Sequence, residues 1–170
     1  MNIQTTQAPH AQIVFRNTPT HSDKSTIIDI LNSSGYFYDH ETMVAGELID
    51  ENLEKGAERS GYNFMFADYE GKTVGFTCYG PIACTESSHD LFWIAVHKDF
   101  MFKGIGKQLI QETEKCVKKA GGTRIYIETS GRELYKSTRG FYLKTGYILE
   151  AELEDFYGPG DSKMIYVKKL

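Results

Sequence analysis

Residues 96–109 read VHKDFMFKGIGKQL, and the six residues ending at Val96, LFWIAV, form an unbroken apolar run. A run of that length is enough for a buried central strand. On the other side, Ile105, Leu109, Thr113, Cys116, Val117 and Ala120 recur at helical spacing over residues 104–120, and Gly121-Gly122 close that helix. The stretch is therefore a strand-to-helix turn, with Gly104 and Gly106 at the helix start. The first amides of a helix have no partner within it, and that end of its dipole is positive. Glycine leaves the backbone open, so a phosphate can approach. Lys103 and Lys107 add charge nearby. The turn reads as a pyrophosphate cradle, against the plainer reading of a tight turn that needs small residues. Two other phosphate-binding patterns fail on the letters. A dinucleotide fingerprint wants a third glycine where Leu109 stands, and a Walker loop wants Ser or Thr where Gln108 stands.

Working outward, TRIYIETS (123–130) is a second strand, so residues 91–130 form a β-α-β crossover. Such a unit predicts a parallel, right-handed strand pair. Upstream, residues 11–16 alternate as a first strand, and residues 25–37 form a short helix ending near Gly35. Residues 41–59 form a second helix. Its expected apolar face is Met43, Val44, Leu48 and Leu53, and its remainder is acidic through Glu47, Asp50, Glu51, Glu54 and Glu58. YNFMFADY and TVGFTCYG flank the turn Glu70-Gly71-Lys72 and read as a hairpin. Residues 137–145 suit a short helix stopped by Gly146, and residues 147–154 and 163–169 read as closing strands around the loop YGPGDS. The order is β-αα-ββ-β-α-β-α-β-β. It implies one domain over residues 11–170, preceded by a flexible tail over residues 1–10.

The chain has 170 residues, 23 acids and 19 bases, and a net charge of −4. One domain is the default at that length. The mild acidity argues against nucleic acid as the main partner. No apolar run is long enough to span a membrane. Three cysteines without a C-x-x-C pair argue against a disulfide framework or a metal centre, and predict free thiols in a reducing cytoplasm.

Val96 at the strand end, Lys103-Gly104-Ile105-Gly106 after it, and Tyr142-Leu143-Lys144-Thr145-Gly146-Tyr147 downstream occur in order and at matching distances. On these motifs the sequence resembles the GNAT superfamily of acyl-CoA-dependent N-acyltransferases over residues 12–170. The resemblance implies a three-layer α/β fold. Its central, mostly antiparallel sheet holds a splayed parallel pair and carries helices on both faces. It also implies acetyl-CoA as co-substrate, a primary amine of a small molecule as acceptor, and direct transfer in a ternary complex. A non-catalytic acyl-CoA-sensing module and a peptide acetyltransferase are the alternatives. A homodimer is expected, as is common in the family.

The family's roles carry over residue by residue. Ile94 and Val96 would pair with the pantetheine arm. Met101, Phe102, Lys103, Gly104, Ile105, Gly106 and Lys107 would surround the pyrophosphate. Two positions depart from the family pattern: Met101 stands where Arg or Gln is usual, and Tyr135 where Asn is usual. Tyr135 would reach the coenzyme through its hydroxyl instead. Tyr142 matches the family's general acid, since a phenol of pKa about 10 can protonate a leaving thiolate. The substrate ammonium needs a base, and Asp90 matches a carboxylate position six residues before Val96. Strict alternation would put Asp90 on the strand face of Phe92, Ile94 and Val96. Glu86 and His89 are its rivals. The acceptor would lie among Tyr36, Phe37, Tyr38 and Tyr79, near the acidic helix, with Glu128, Arg132 and Glu133 flanking the gap. Arg139 is a candidate for the coenzyme phosphates. No metal is implied.

Overall fold

The computed structural model describes residues 12–170, so the expected tail at 1–10 lies outside the described residues. Seven strands form one sheet: β1 (Ile13–Arg16), β2 (Asn63–Tyr69), β3 (Lys72–Pro81), β4 (Ser88–Val96), β5 (Arg124–Ser130), β6 (Ile148–Gly158) and β7 (Asp161–Lys169). Their order across the sheet is β1-β2-β3-β4-β5-β7-β6. Every pairing is antiparallel except β4 with β5. The helices are α1 (Asp23–Ser34), α2 (Asp39–Ser60), α3 (Ile105–Lys119) and α4 (Lys136–Lys144).

The two faces of the sheet carry separate cores. On one face, Ile105, Leu109, Ile110 and Val117 of α3 and Tyr142 of α4 pack on Leu91, Ile125, Ile127 and Tyr166. On the other, Ile27, Ile30 and Leu31 of α1 and Ala45 and Ile49 of α2 pack on Phe64, Phe66, Phe76 and Ala95. The buried face of α2 is Thr42, Ala45, Gly46, Ile49 and Asn52. The expected stripe is therefore corrected. Met43 and Val44 are exposed, while Leu48 and Leu53 sit at the core margin. The reason is close packing: a Cβ on Gly46 would lie 2.9 Å from the Ile28 side chain, so α1 crosses α2 where α2 is narrowest.

An ion-paired cluster fastens β1 to the start of α1. Asp23 is 2% exposed and accepts from the Arg16 guanidinium and, at 2.7 Å, from the Thr20 amide. Arg16 also binds Asp68 and Thr73 at 2.9 Å each. At the other end of the chain, β6 and β7 run through the segment expected as a loop and close it to a short turn at Pro159-Gly160.

Candidate functional site

Two features of β4 create the site. The first is its short pairing with β5, which covers only Ser88, His89 and Asp90 against Arg124, Ile125 and Tyr126. Beyond Asp90 the two strands separate, and residues 91–96 have no ladder partner on that side. Buried backbone groups need partners, so this open edge is a place for a ligand with amide-like groups. The second is a bulge: Cys78 stands opposite Trp93 but Tyr79 opposite Leu91, which makes Phe92 the extra residue. A bulge reverses strand alternation. Leu91, Ile94 and Val96 consequently all face the α3 side, while Trp93 and Ala95 face α1 and α2. Asp90, alternating with Leu91, faces the α1–α2 side. Its expected common face with Ile94 and Val96 is corrected by that one extra residue.

Two cavities meet at the open edge, and Ile94, Val96, Met101, Tyr36 and Thr138 line both. The second cavity, about 370 Å³, runs over the α3 turn and is lined by Phe102, Gly104, Gly106, Lys107, Ser137 and Phe141. Here the sequence logic of the turn is visible as geometry. Gly104 caps α3 with φ +80° and no side chain caps the helix. The first intrahelical bond of this turn is donated by Gln108 to Gly104, leaving the amides of residues 105–107 directed outward. Phe102 holds φ +62° with its ring 97% exposed beside this opening. Lys103 instead lies 4.9 Å from the Phe100 ring, and the Ile105 side chain is core, so only its backbone can meet a ligand.

The first cavity, about 590 Å³, opens on the α1–α2 side. Tyr36, Tyr38, Phe92, Trp93 and Tyr157 give it aromatic walls, and Glu41, Glu128, Arg132 and Asp161 give it charge. Tyr142 reaches it from α4, packed between Phe141, Tyr147 and Tyr166 with ring centroids 5.6, 6.2 and 5.7 Å away. Burial, with Tyr135 and Tyr166 nearby, pushes the Tyr142 phenol well above its ordinary range, so it stays protonated. Its hydroxyl makes no hydrogen bond to protein among the described residues, although only the Tyr147 hydroxyl is sealed in without a partner.

The remaining expected residues are placed as follows. Glu128 lines the cavity and lies 2.6 Å from Lys163. Asp90 is not among the residues that line the cavity and lies at the last paired rung, opposite Tyr126. Burial and the neighbouring Glu128 raise its carboxyl above the usual range, with Lys163 opposing. Glu86 is exposed in the loop before β4. His89 turns its buried, unpaired Nδ1 toward Gly122 beyond α3. Tyr79 is 6% exposed in the α3-side core, so it is removed from the cavity by the same alternation that places Thr77 against Thr113. The Tyr135 hydroxyl donates to the Tyr36 carbonyl at 3.1 Å and lines the first cavity rather than the second. Arg139 donates to the carbonyls of Ser130 and Arg132 at 2.9 and 2.8 Å, which fixes the β5–α4 connection. Glu133 is exposed and pairs with Lys136.

Sequence reading missed Thr138, Asp161 and Tyr157. Thr138 carried a signal, because it lies four residues before Tyr142 on the same helix face. Asp161 and Tyr157 carried none, since the hairpin fold-back that brings them to β5 is set by tertiary pairing.

The α/β sheet thus opens at its parallel pair into one cleft, with unpaired helix amides at one end of the gap and a phenol and carboxylates at the other. Residues 60–149 match the family model described as acetyltransferase (GNAT) domain. A GNAT-family protein of known structure from Desulfovibrio desulfuricans is 39% identical, with a TM-score of 0.91 over 93% of this chain and 99% of that one. The chain belongs to the GNAT acetyltransferase family. An N-acetyltransferase from Thermoplasma acidophilum in complex with coenzyme A shares the fold, with a TM-score of 0.72 and 23% identity over 94% of this chain and 99% of that one. An uncharacterized N-acetyltransferase of Chlorobaculum tepidum is 28% identical over 97 residues, 57% of this chain and 55% of that protein's length. No described helix is long and apolar enough to cross a membrane.

Proposed function

We propose that this protein moves an acetyl group from acetyl-CoA to the primary amine of a small molecule by direct attack in a ternary complex. The observation that carries this reading is the parting of β4 from β5 above Asp90, beside the outward amides of residues 105–107. The coenzyme would lie along the open edge at Ile94 and Val96, with its pyrophosphate at residues 102–107 and its thioester near Tyr142. An amide of β4 there polarises the thioester carbonyl as an oxyanion donor does.

The amine must lose a proton before it can attack. Glu128 and Asp90, on the acceptor side of the sheet, are the carboxylates that take it, Glu128 from the cavity wall and Asp90 from the last paired rung. The amine nitrogen then bonds to the thioester carbonyl carbon, the carbon–sulfur bond breaks, the Tyr142 hydroxyl gives its proton to the leaving sulfur, and the proton still carried by the acylated nitrogen passes through solvent to restore the Tyr142 phenol. Glu128→Gln is expected to lower kcat/KM about tenfold or more, with a smaller loss in Asp90→Asn. Because burial raises the Asp90 carboxyl, activity should fall on acidification at a pH above the ordinary carboxylate range. In Asp90→Asn that acid limb should move to lower pH, as read from a kcat/KM profile.

The family reading is tested with acetyl-CoA and a panel of amines, followed by CoA release. Turnover with at least one amine supports it. Coenzyme binding without release for any amine or peptide would favour the non-catalytic reading, to which Met101 in the usual Arg/Gln position lends some support. Cys78, Cys84 and Cys116 are free thiols, which supports a reducing cytoplasm. Exposed Ile148, Leu149 and Leu153 on edge strand β6 support a homodimer, checked by light scattering.

A further inference from the structure

The acceptor-side wall of the first cavity alternates in charge. Glu128 of β5 is 2.6 Å from Lys163 of β7. Two residues further along β5, on the same strand face, the Ser130 hydroxyl donates to Asp161 at 2.5 Å. That same oxygen lies 3.3 Å from Arg132 Nε, and Nε is 3.1 Å from Asp161. The guanidinium is also held 5.5 Å from the Tyr135 ring. Arg132 is thus gripped through Nε and its flat face. Its two Nη groups donate to no carboxylate or carbonyl among the described residues, and the Tyr38 phenol is their neighbour. Lys163, the other cation, is occupied by Glu128 and lies 3.8 Å from the Phe156 ring.

A guanidinium fixed from behind, whose outer nitrogens meet, among the described residues, only the neutral Tyr38 phenol and no carboxylate, is shaped for a carboxylate, which it binds with two parallel hydrogen bonds. Glu128 and Ser130 are about 7 Å apart along the strand, so a carboxylate and this guanidinium face one cavity within the span of a single small molecule. The charges also limit the acceptor. Glu41, Asp90, Glu128 and Asp161 outnumber Arg132 and Lys163, so the site favours an amine cation while keeping a cation of its own for an anionic group. A polycationic amine would meet two cations on this wall. An acceptor with an amine alone would leave the Arg132 nitrogens unused.

Resting on the acetyl-transfer reading above, we propose that the acceptor is an amino-acid-type zwitterion, with its amine at Glu128 and its carboxylate on Arg132. Its side chain then lies along Phe92, Trp93 and Tyr157. Arg132 is the specificity-determining residue of this site.

The test compares CoA release with the protein amino acids, their carboxamides, and linear di- and triamines, in wild type and in Arg132→Gln. An amino acid should exceed its carboxamide about ten- to a hundredfold in kcat/KM, mostly through KM. Arg132→Gln should raise KM about tenfold or more further for the acid than for the carboxamide, which erases the difference between them. Equal use of acid and carboxamide by wild type, preference for a triamine, or an equal loss for both acceptors in Arg132→Gln would overturn the assignment while leaving acetyl transfer standing. If none of these acceptors releases CoA while another amine or a peptide does, this assignment alone is overturned; if no amine or peptide releases CoA from protein shown calorimetrically to bind it, acetyl transfer falls and this assignment with it.

Discussion

Replacing Tyr142 with phenylalanine is expected to lower kcat about a hundredfold or more, while the dissociation constant for CoA stays within about twofold. The ring packs between Phe141, Tyr147 and Tyr166, and phenylalanine keeps those contacts. Only the hydroxyl is lost, and it makes no protein hydrogen bond among the described residues, so folding stability should change little. Burial holds the phenol protonated, which suits a group that gives up a proton only when a basic thiolate forms beside it. The measurement is steady-state turnover together with calorimetric CoA binding. Unchanged kcat would make Tyr142 a core residue that merely borders the cavity, and the sulfur would then take its proton from water.

The largest stability effect is expected at Asp23, far from the cavity. Asp23→Ala should destabilise the protein by about 2–3 kcal/mol, because it removes the buried acceptor of the Arg16 and Thr20 hydrogen bonds while Asp68 still pairs the partly exposed guanidinium. For a chain of this size that corresponds to a fall in Tm of about 4–12 °C. Burial opposes ionisation of Asp23, yet its hydrogen bonds from Arg16 and Thr20 outweigh burial and hold the carboxyl below its usual range. A carboxylate with a lowered folded-state pKa stabilises the fold at pH values above its unfolded value of about 4. That contribution is lost as pH falls through the lower folded value. The gap between wild type and Asp23→Ala, measured by chemical denaturation, should therefore be full near neutrality and shrink below about pH 4. A gap that is constant with pH would mean that the cluster acts through packing alone.

These two residues differ in how far the sequence could announce them. Tyr142 was legible because it stands in a local pattern, five residues before Tyr147 and at the start of a helix-ending Gly146 motif. Asp23 was legible only as a residue near a helix start. Its partner Arg16 is held in turn by Asp68 and Thr73, so the cluster draws on three separate strands or their ends, and no spacing along the chain brings them together. The same division runs through the site. The turn at Lys103–Gly106 is a local object, and its outward amides follow from glycine and the start of a helix. The acceptor wall is a non-local one, assembled from β5, β7 and the α1–α2 connection.

Sequence alone determined the element order, the crossover between β4 and β5 and the glycine turn that opens α3. Each depends on interactions within a few residues of chain, where period and glycine placement leave little freedom. Tertiary structure decided which side each group faces. One extra residue at Phe92 sends Asp90 to the opposite face from Ile94 and Val96. The close crossing at Gly46 selects Ala45 and Ile49 over Met43 and Leu48 as the buried stripe of α2. Fold-back of β7 on β5 sets Lys163 and Asp161 beside Glu128 and Arg132. Bulges, helix crossings and strand neighbours are chosen by packing between distant segments, and a single reversal of strand parity moves a side chain from one ligand's side of the sheet to the other's.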